Sequence, residues 1–414
     1  VKLLRGILLT LLITTAIPAY AVVVEGSFST MYEHSKYKGD SSEGTWENTL
    51  ILDNVKLINP YLGFNFHGSY SIEDGENYTD IYSAYLHFKN FEDALEIKLG
   101  RFSFLGNRFL TLDGIEATLR TDYKFGVSVF AGSPEFYDSD DRAIKQTFRD
   151  AGDRLYGGRI FLNGVKNTSA YISYSKEEDD DRTIQELVGF GLGRVFVLNE
   201  DTFITVDGKL DYDQESNDLY RGIARVFAKH KKFAFSADAS RIRVEDGSER
   251  FEELVITTFS DGKQDRYSYT LEYAINNNYK VYHSLVHSVI LDNDGRWETG
   301  EIIKFGLNID HFKTHGLTSE VEFYIYESDI AEATGGSFNI DWNITRELST
   351  SFSAEYVGYS QVAGLDREKD VYSIYADLEY DILRNLSVNL YAENSKETRF
   401  LPENRYGVKF KYFF

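Results

Sequence analysis

Segments of about ten residues that alternate between apolar and polar recur along the whole chain. A period of two dictates strands with one apolar and one wet face. Leu62, Phe64, Phe66, Gly68 and Tyr70 interleave with Gly63, Asn65, His67 and Ser69. Ile204, Val206, Gly208, Leu210 and Tyr212 interleave with Thr205, Asp207, Lys209 and Asp211. The same holds for Phe338, Ile340, Trp342 and Ile344, and for Tyr372, Ile374, Ala376, Leu378 and Tyr380. No segment beyond the N-terminal leader approaches the roughly 18 consecutive apolar residues of a spanning helix.

The connections alternate as well. Short ones, such as Asp122–Lys124, Leu198–Asp201 and Asn276–Asn278, take turns with longer acid-rich ones. The longer set includes Ile72–Asp80, Phe102–Asp113, Lys176–Gln185 and the two longest, Ser133–Arg154 and Val244–Asp265. Short turns at one end and long loops at the other predict an all-β fold: a closed antiparallel up-and-down transmembrane β-barrel of about 22 strands, within a range of 18 to 24. Phe251–Ser260 reads as a strand, but an even count places it inside a long loop as a hairpin. Pro60, Pro134 and Pro402 are expected in turns or loops, where no ladder hydrogen bond is lost. A soluble β-sandwich also alternates in short strands. Only 4 Pro among 414 residues, and no second turn type, weigh against it.

Residues 1–21 have the layout of a cleaved secretory signal peptide, leaving 22–414 as a single barrel domain. Lys2 and Arg5 are a basic start, Ile7 to Ile17 an apolar stretch too short to span a membrane, and Ala19-Tyr20-Ala21 a small-residue cleavage site. Removing Lys2 and Arg5 takes the net charge from −22 to −24.

At the other end, Tyr406, Val408, Phe410, Tyr412 and Phe414 form one apolar phase, with Gly407, Lys409 and Lys411 between. A terminal aromatic with aromatics two and four residues before it resembles the C-terminal signal of Gram-negative outer-membrane, porin-like barrels. That resemblance implies an outer-membrane location and recognition of this segment by the barrel-assembly machinery. It also implies contact with membrane lipid and lipopolysaccharide. Leu99-Gly100-Arg101 followed by Asp113-Gly114 is similar to an element of several porin-like families. Closure of the barrel would pair this last strand with the first, whose Val24, Gly26, Phe28, Thr30 and Tyr32 point outward.

The chemistry visible in the sequence is sparse. An acidic chain lacks the basic footprint of a nucleic-acid binder. With no Cys, disulfides, thiolate metal sites and a Cys nucleophile are excluded. No catalytic or nucleotide-binding motif is present, so neither an enzyme nor a cofactor is expected. His283 and His287, four apart on one strand face, read as lumen or rim residues rather than a metal site. Asp292-Asn-Asp-Gly295 falls short of a Ca²⁺ loop, and Glu177 to Asp181 reads as a solvated loop.

Alternation also assigns a lumen face. Lys98, Arg120, Arg159, Arg221 and Arg225 form a basic wall on the earlier strands. Glu272, Asp310, Glu320, Glu322, Asp341, Glu355, Asp377, Glu379 and Glu393 form an acidic wall on the later ones. Opposed walls would set a field across a pore and sort small polar solutes or ions. The expected function is passive diffusion of such solutes. The alternative is a non-enzymatic sheath or scaffold barrel that holds a periplasmic or electron-carrying partner. Assembly as a homo-oligomer is left open.

Overall fold

The computed structural model describes residues 24–36, 42–56, 61–73, 76–90, 94–105, 109–122, 124–135, 154–179, 182–244, 262–292, 297–311, 316–329, 331–362, 370–396 and 404–414. Among these residues every regular element is a strand. In chain order they are β1 (Glu25–Lys36), β2 (Ser42–Lys56), β3 (Leu62–Glu73), β4 (Glu76–Lys89), β5 (Leu95–Leu105), β6 (Phe109–Arg120), β7 (Phe125–Glu135), β8 (Arg154–Val165), β9 (Thr168–Asp179), β10 (Arg182–Asn199) and β11 (Thr202–Asp213). They continue as β12 (Asp218–His230), β13 (Phe233–Val244), β14 (Gly262–Ala274), β15 (Tyr279–Asp292), β16 (Trp297–His311), β17 (Leu317–Ser328), β18 (Ala331–Asn343), β19 (Leu348–Val362), β20 (Asp370–Leu383), β21 (Leu386–Lys396) and β22 (Asn404–Phe413).

Each strand pairs antiparallel with its sequence neighbours, and β22 pairs with β1, from Ser27 opposite Phe413 to Lys36 opposite Asn404. The 22-stranded sheet is therefore closed. Closure satisfies the backbone groups of both end strands, which hydrocarbon could not do. Phe414 completes the seam: its N–H donates to the Gly26 carbonyl, and its carbonyl accepts from the Gly26 N–H, both at 3.1 Å.

At the short-turn end the hairpins are tight. Lys166 and Asn167, at φ 49° and 61°, form a two-residue turn between β8 and β9, the left-handed pair that matches the twist of flanking strands. At the other end the sequence expectation needs correction. Several acid-rich segments are ladder rather than loop. Ile72 pairs with Asn77, Phe102 with Leu112, and Lys176 with Glu186, so β3–β4, β5–β6 and β9–β10 continue well past the apolar alternation. The ladder is made by backbone groups, and charged side chains that alternate do not interrupt it. Glu177, expected in solvent, is buried on β9. Pro134 lies in β7 opposite Leu112 rather than in a loop. Among the described residues the pairing of β7 with β8 runs as far as Gly132. The leader, Phe251–Ser260, Pro60, Pro402 and Asp-Gly 294–295 lie outside the described residues.

The core is the wall itself. Outward side chains form an apolar band: Leu99, Val129, Ile160, Ile172 and Leu192 are each more than half exposed. Inward chains are mostly polar, with two apolar clusters on opposite walls. Phe102, Leu112, Phe130 and Leu155 make one; Val286, Ile302, Tyr324, Tyr326, Ala333 and Val357 make the other.

Candidate functional site: the lumen wall

The inward face is identified by following one outward residue around the sheet. Phe28 faces Leu50, Leu50 faces Gly68, and the phase carries Phe66, Ala84 and Arg101 outward, leaving Lys98 and Gly100 inward. The same tracing puts all five basic and all nine acidic residues named from sequence on the inward side.

The early wall is built as pairs. Lys98 Nζ lies 2.9 Å from Glu116 Oε2, directly across β5 and β6. Arg120 Nη2 lies 2.7 Å from Glu96 Oε2. Arg221 donates to Asp211 from Nε at 2.8 Å and Nη2 at 2.7 Å, with Lys209 3.7 Å away on the same carboxylate. Asp211 is fully buried in this arrangement. Arg159 stacks over the Tyr171 ring, 3.9 Å from its centroid. Arg225 stands in register between Asp207 and Asp238. Lys98, Arg120 and Arg221 are thus each ion-paired with a wall carboxylate, and Arg159 is held flat on a ring.

The late wall is different. Asp310, Glu320, Glu322, Asp341, Glu355, Asp377 and Glu379 share the inward face of β16–β20 with one cation among its described residues, Lys304, which lies 3.3 Å from Glu322. Most of these acids are held by neutral donors. Asp377 accepts from the Ser351 N–H at 3.0 Å and from Asn389 Nδ2 at 2.6 Å. Glu320 and Glu322 both accept from the Tyr282 hydroxyl, at 2.8 and 2.7 Å, and Glu355 from that of Tyr324 at 2.8 Å. Neutral donors orient a carboxylate and leave its charge uncancelled. At the margins Glu272 pairs with Lys280 at 3.3 Å, and Glu393 with Arg405 at 2.7 Å.

Some inward residues escaped the sequence reading. Lys409 and Lys411 face inward from β22, opposite Asn389 and Ser387. The strict alternation of the last strand already implied that placement. His283 and His287 face outward rather than into the lumen. His283 packs between the Tyr269 and Phe305 rings, 5.7 and 4.8 Å between centroids. His287 Nδ1 lies 3.1 Å from Glu301. Among the described residues no group of three or more His, Cys, Asp or Glu could hold a metal ion.

The two halves of the Leu99-Gly100-Arg101 and Asp113-Gly114 element meet. Arg101 clamps Asp113 through Nε and Nη2, at 2.6 and 2.5 Å, on the outward face. Gly100 sits opposite Gly114 at φ 124°, and a Cβ there would overlap the Ala84 carbonyl. Tyr406, Phe410 and Tyr412 are exposed on the outward face of β22.

Among solved structures, the chain is similar to the siderophore receptor PirA from Pseudomonas aeruginosa. The identity is 14%, covering 94% of this chain and 80% of that one, with a TM-score of 0.56. The likeness is one of fold, a large closed antiparallel β-barrel. Lower-scoring similarities are to Pseudomonas aeruginosa OpdL (12% identity, 95% and 99% of the two chains, TM-score 0.48) and to a BenF-like porin from Pseudomonas fluorescens Pf-5 (12%, 95% and 98%, 0.42). No family model and no curated protein matches the sequence.

Proposed function

We propose that this barrel is an outer-membrane porin, a passive diffusion channel for small hydrophilic solutes or ions, with a preference for cations. The observation that carries the reading is the one-sided charge of the inward face. The inward carboxylates of β16–β20 far outnumber their one described lysine, Lys304, while Lys98, Arg120 and Arg221 of the early wall are each paired with an adjacent acid. Such a wall concentrates cations beside it and repels anions, to a degree that salt screens. The wet inner face and the apolar outer band are what an aqueous pore through hydrocarbon requires. An export signal, lipid and lipopolysaccharide contact and assembly-machinery recognition of the C-terminal stripe belong to the same proposal.

The test is single-channel recording of the purified full chain in a planar bilayer. Discrete, ohmic conductance steps are expected. A folded, inserted barrel that passes no current would overturn the channel reading and favour a barrel sheathing a partner.

A further inference from the structure

Three inward tyrosines share one geometry. Tyr282 on β15 lies directly opposite Gly306 on β16, and a Cβ on that glycine would fall inside the phenol ring. Its hydroxyl reaches the carboxylates of Glu320 and Glu322 on β17. Tyr324 on β17 lies opposite Gly335 on β18, where a Cβ would be 2.5 Å from the ring, and donates to Glu355 on β19. Tyr391 on β21 lies opposite Gly407 on β22, again with 2.5 Å to a Cβ, and donates to Glu33 on β1. In each case the ring is laid over one strand to reach the next, spanning two strand spacings of roughly 4.8 Å.

The same ring-over-glycine arrangement also occurs on the early wall. A fourth tyrosine, Tyr171, covers Gly191 in the same way, and a Cβ there would also overlap its ring. The next strand presents Lys209 opposite that glycine, rather than an acid, and the ring carries the Arg159 guanidinium on its face. The three acid-holding hydroxyls stand on β15, β17 and β21, and Tyr324 also has a cation over its ring, with Lys304 Nζ 6.0 Å from the centroid.

We propose that Tyr282, Tyr324 and Tyr391 are positioning residues for the ion path, each glycine letting a ring lie against the wall so that its hydroxyl tethers a carboxylate away from the lumen axis. The proposal rests on the channel reading. Two consequences separate. The flat ring keeps the lumen wide, because a tyrosine turned off its glycine would project into the water path. The hydroxyl draws the carboxylate to the wall and satisfies one of its lone pairs, weakening its pull on a passing cation.

The experiment compares wild type, the triple variant Tyr282→Phe, Tyr324→Phe and Tyr391→Phe, the variant Gly306→Ala, and the double variant Gly306→Ala with Tyr282→Ala, all full-length in planar bilayers. Conductance is read in about 1 M KCl, where charge is screened over roughly 3 Å. Cation preference is read from the reversal potential in a dilute KCl gradient. The triple variant adds no atoms and keeps the rings. It is expected to conduct like wild type in concentrated salt and to show a raised cation preference in dilute salt. Gly306→Ala is expected to lose conductance in concentrated salt, and the added Tyr282→Ala to restore it. A triple variant with an unchanged reversal potential overturns the proposal, as does a Gly306→Ala barrel that conducts like wild type. Should Gly306→Ala fail to assemble, the triple variant decides alone. A wild type without conductance defeats the channel reading itself, and the positioning role with it.

Discussion

The hydroxyl of Tyr391 donates to the carboxylate of Glu33, 358 positions away in sequence, across the seam where the last strand meets the first. The bond passes over Gly407, which lies between them on β22 opposite both residues. The seam is the one pairing that no hairpin enforces, so contacts that span it have the most to contribute to closure. The backbone pairs between Gly26 and Phe414 are the outermost rung of the same seam.

Deleting Phe414 removes that rung and the terminal aromatic together. Assembly is expected to fall far more than synthesis or export. The readout is the heat-modifiable, membrane-embedded fraction on a gel. Normal yield of that form from the truncated chain would refute an assembly role for the terminal stripe.

Ile340 and Asn339 are neighbours on β18 that face opposite ways: Ile340 pairs with outward Phe352, while Asn339 accepts from Ser353 Oγ at 2.6 Å on the inward side. Ile340→Arg is expected to cost about 2 kcal/mol, between the cost of an arginine at the bilayer midplane and near its interface. Asn339→Arg, pointing into water, is expected to cost much less. Urea titration of reversible folding into lipid measures both, and equal costs would contradict the register.

His283 lies in the outward band between two aromatic rings. A polar ring there gives up hydration for no hydrogen bond that lipid could supply. His283→Leu is expected to stabilise the folded barrel in the same titration, and His283→Arg to destabilise it. The opposite order would place this histidine in water.

These particulars show what the sequence could and could not make legible. Period-two alternation located Phe64, Leu99, Ile204 and Trp342 on the outward face, and the rhythm of connections led to the strand number, because both depend on local pattern alone. Phe102, Leu112, Phe130 and Leu155 are inward and apolar, and alternation cannot distinguish such a residue from a lipid-facing one. His283 errs the other way, a polar side chain on the apolar face. The ion pairs of Lys98, Arg120 and Arg221 depend on which residue stands across the ladder. So does the laying of Tyr282 over Gly306. That register is set by turn geometry and bulges such as the one in β3–β4 after His67, so it is not written in either strand by itself.

The pairing of the early wall makes its own prediction. Lys98→Met leaves Glu116 without its 2.9 Å partner. The early wall then loses one positive charge and leaves the Glu116 carboxylate uncancelled, and cation preference is expected to rise. A shift toward anions would mean that Glu116 does not face the ion path.

The reversal potential across a salt gradient tests the central claim most directly, with wild type compared to a variant in which Glu320, Glu322, Asp377 and Glu379 are changed together to Gln or Asn. Wild type is expected to prefer cations, with the preference fading as the Debye length falls from about 30 Å at 0.01 M to about 3 Å at 1 M. The quadruple variant is expected to lose most of that preference at low salt while keeping its conductance at high salt. An anion-selective wild type, or a quadruple variant with an unchanged reversal potential, would contradict the account.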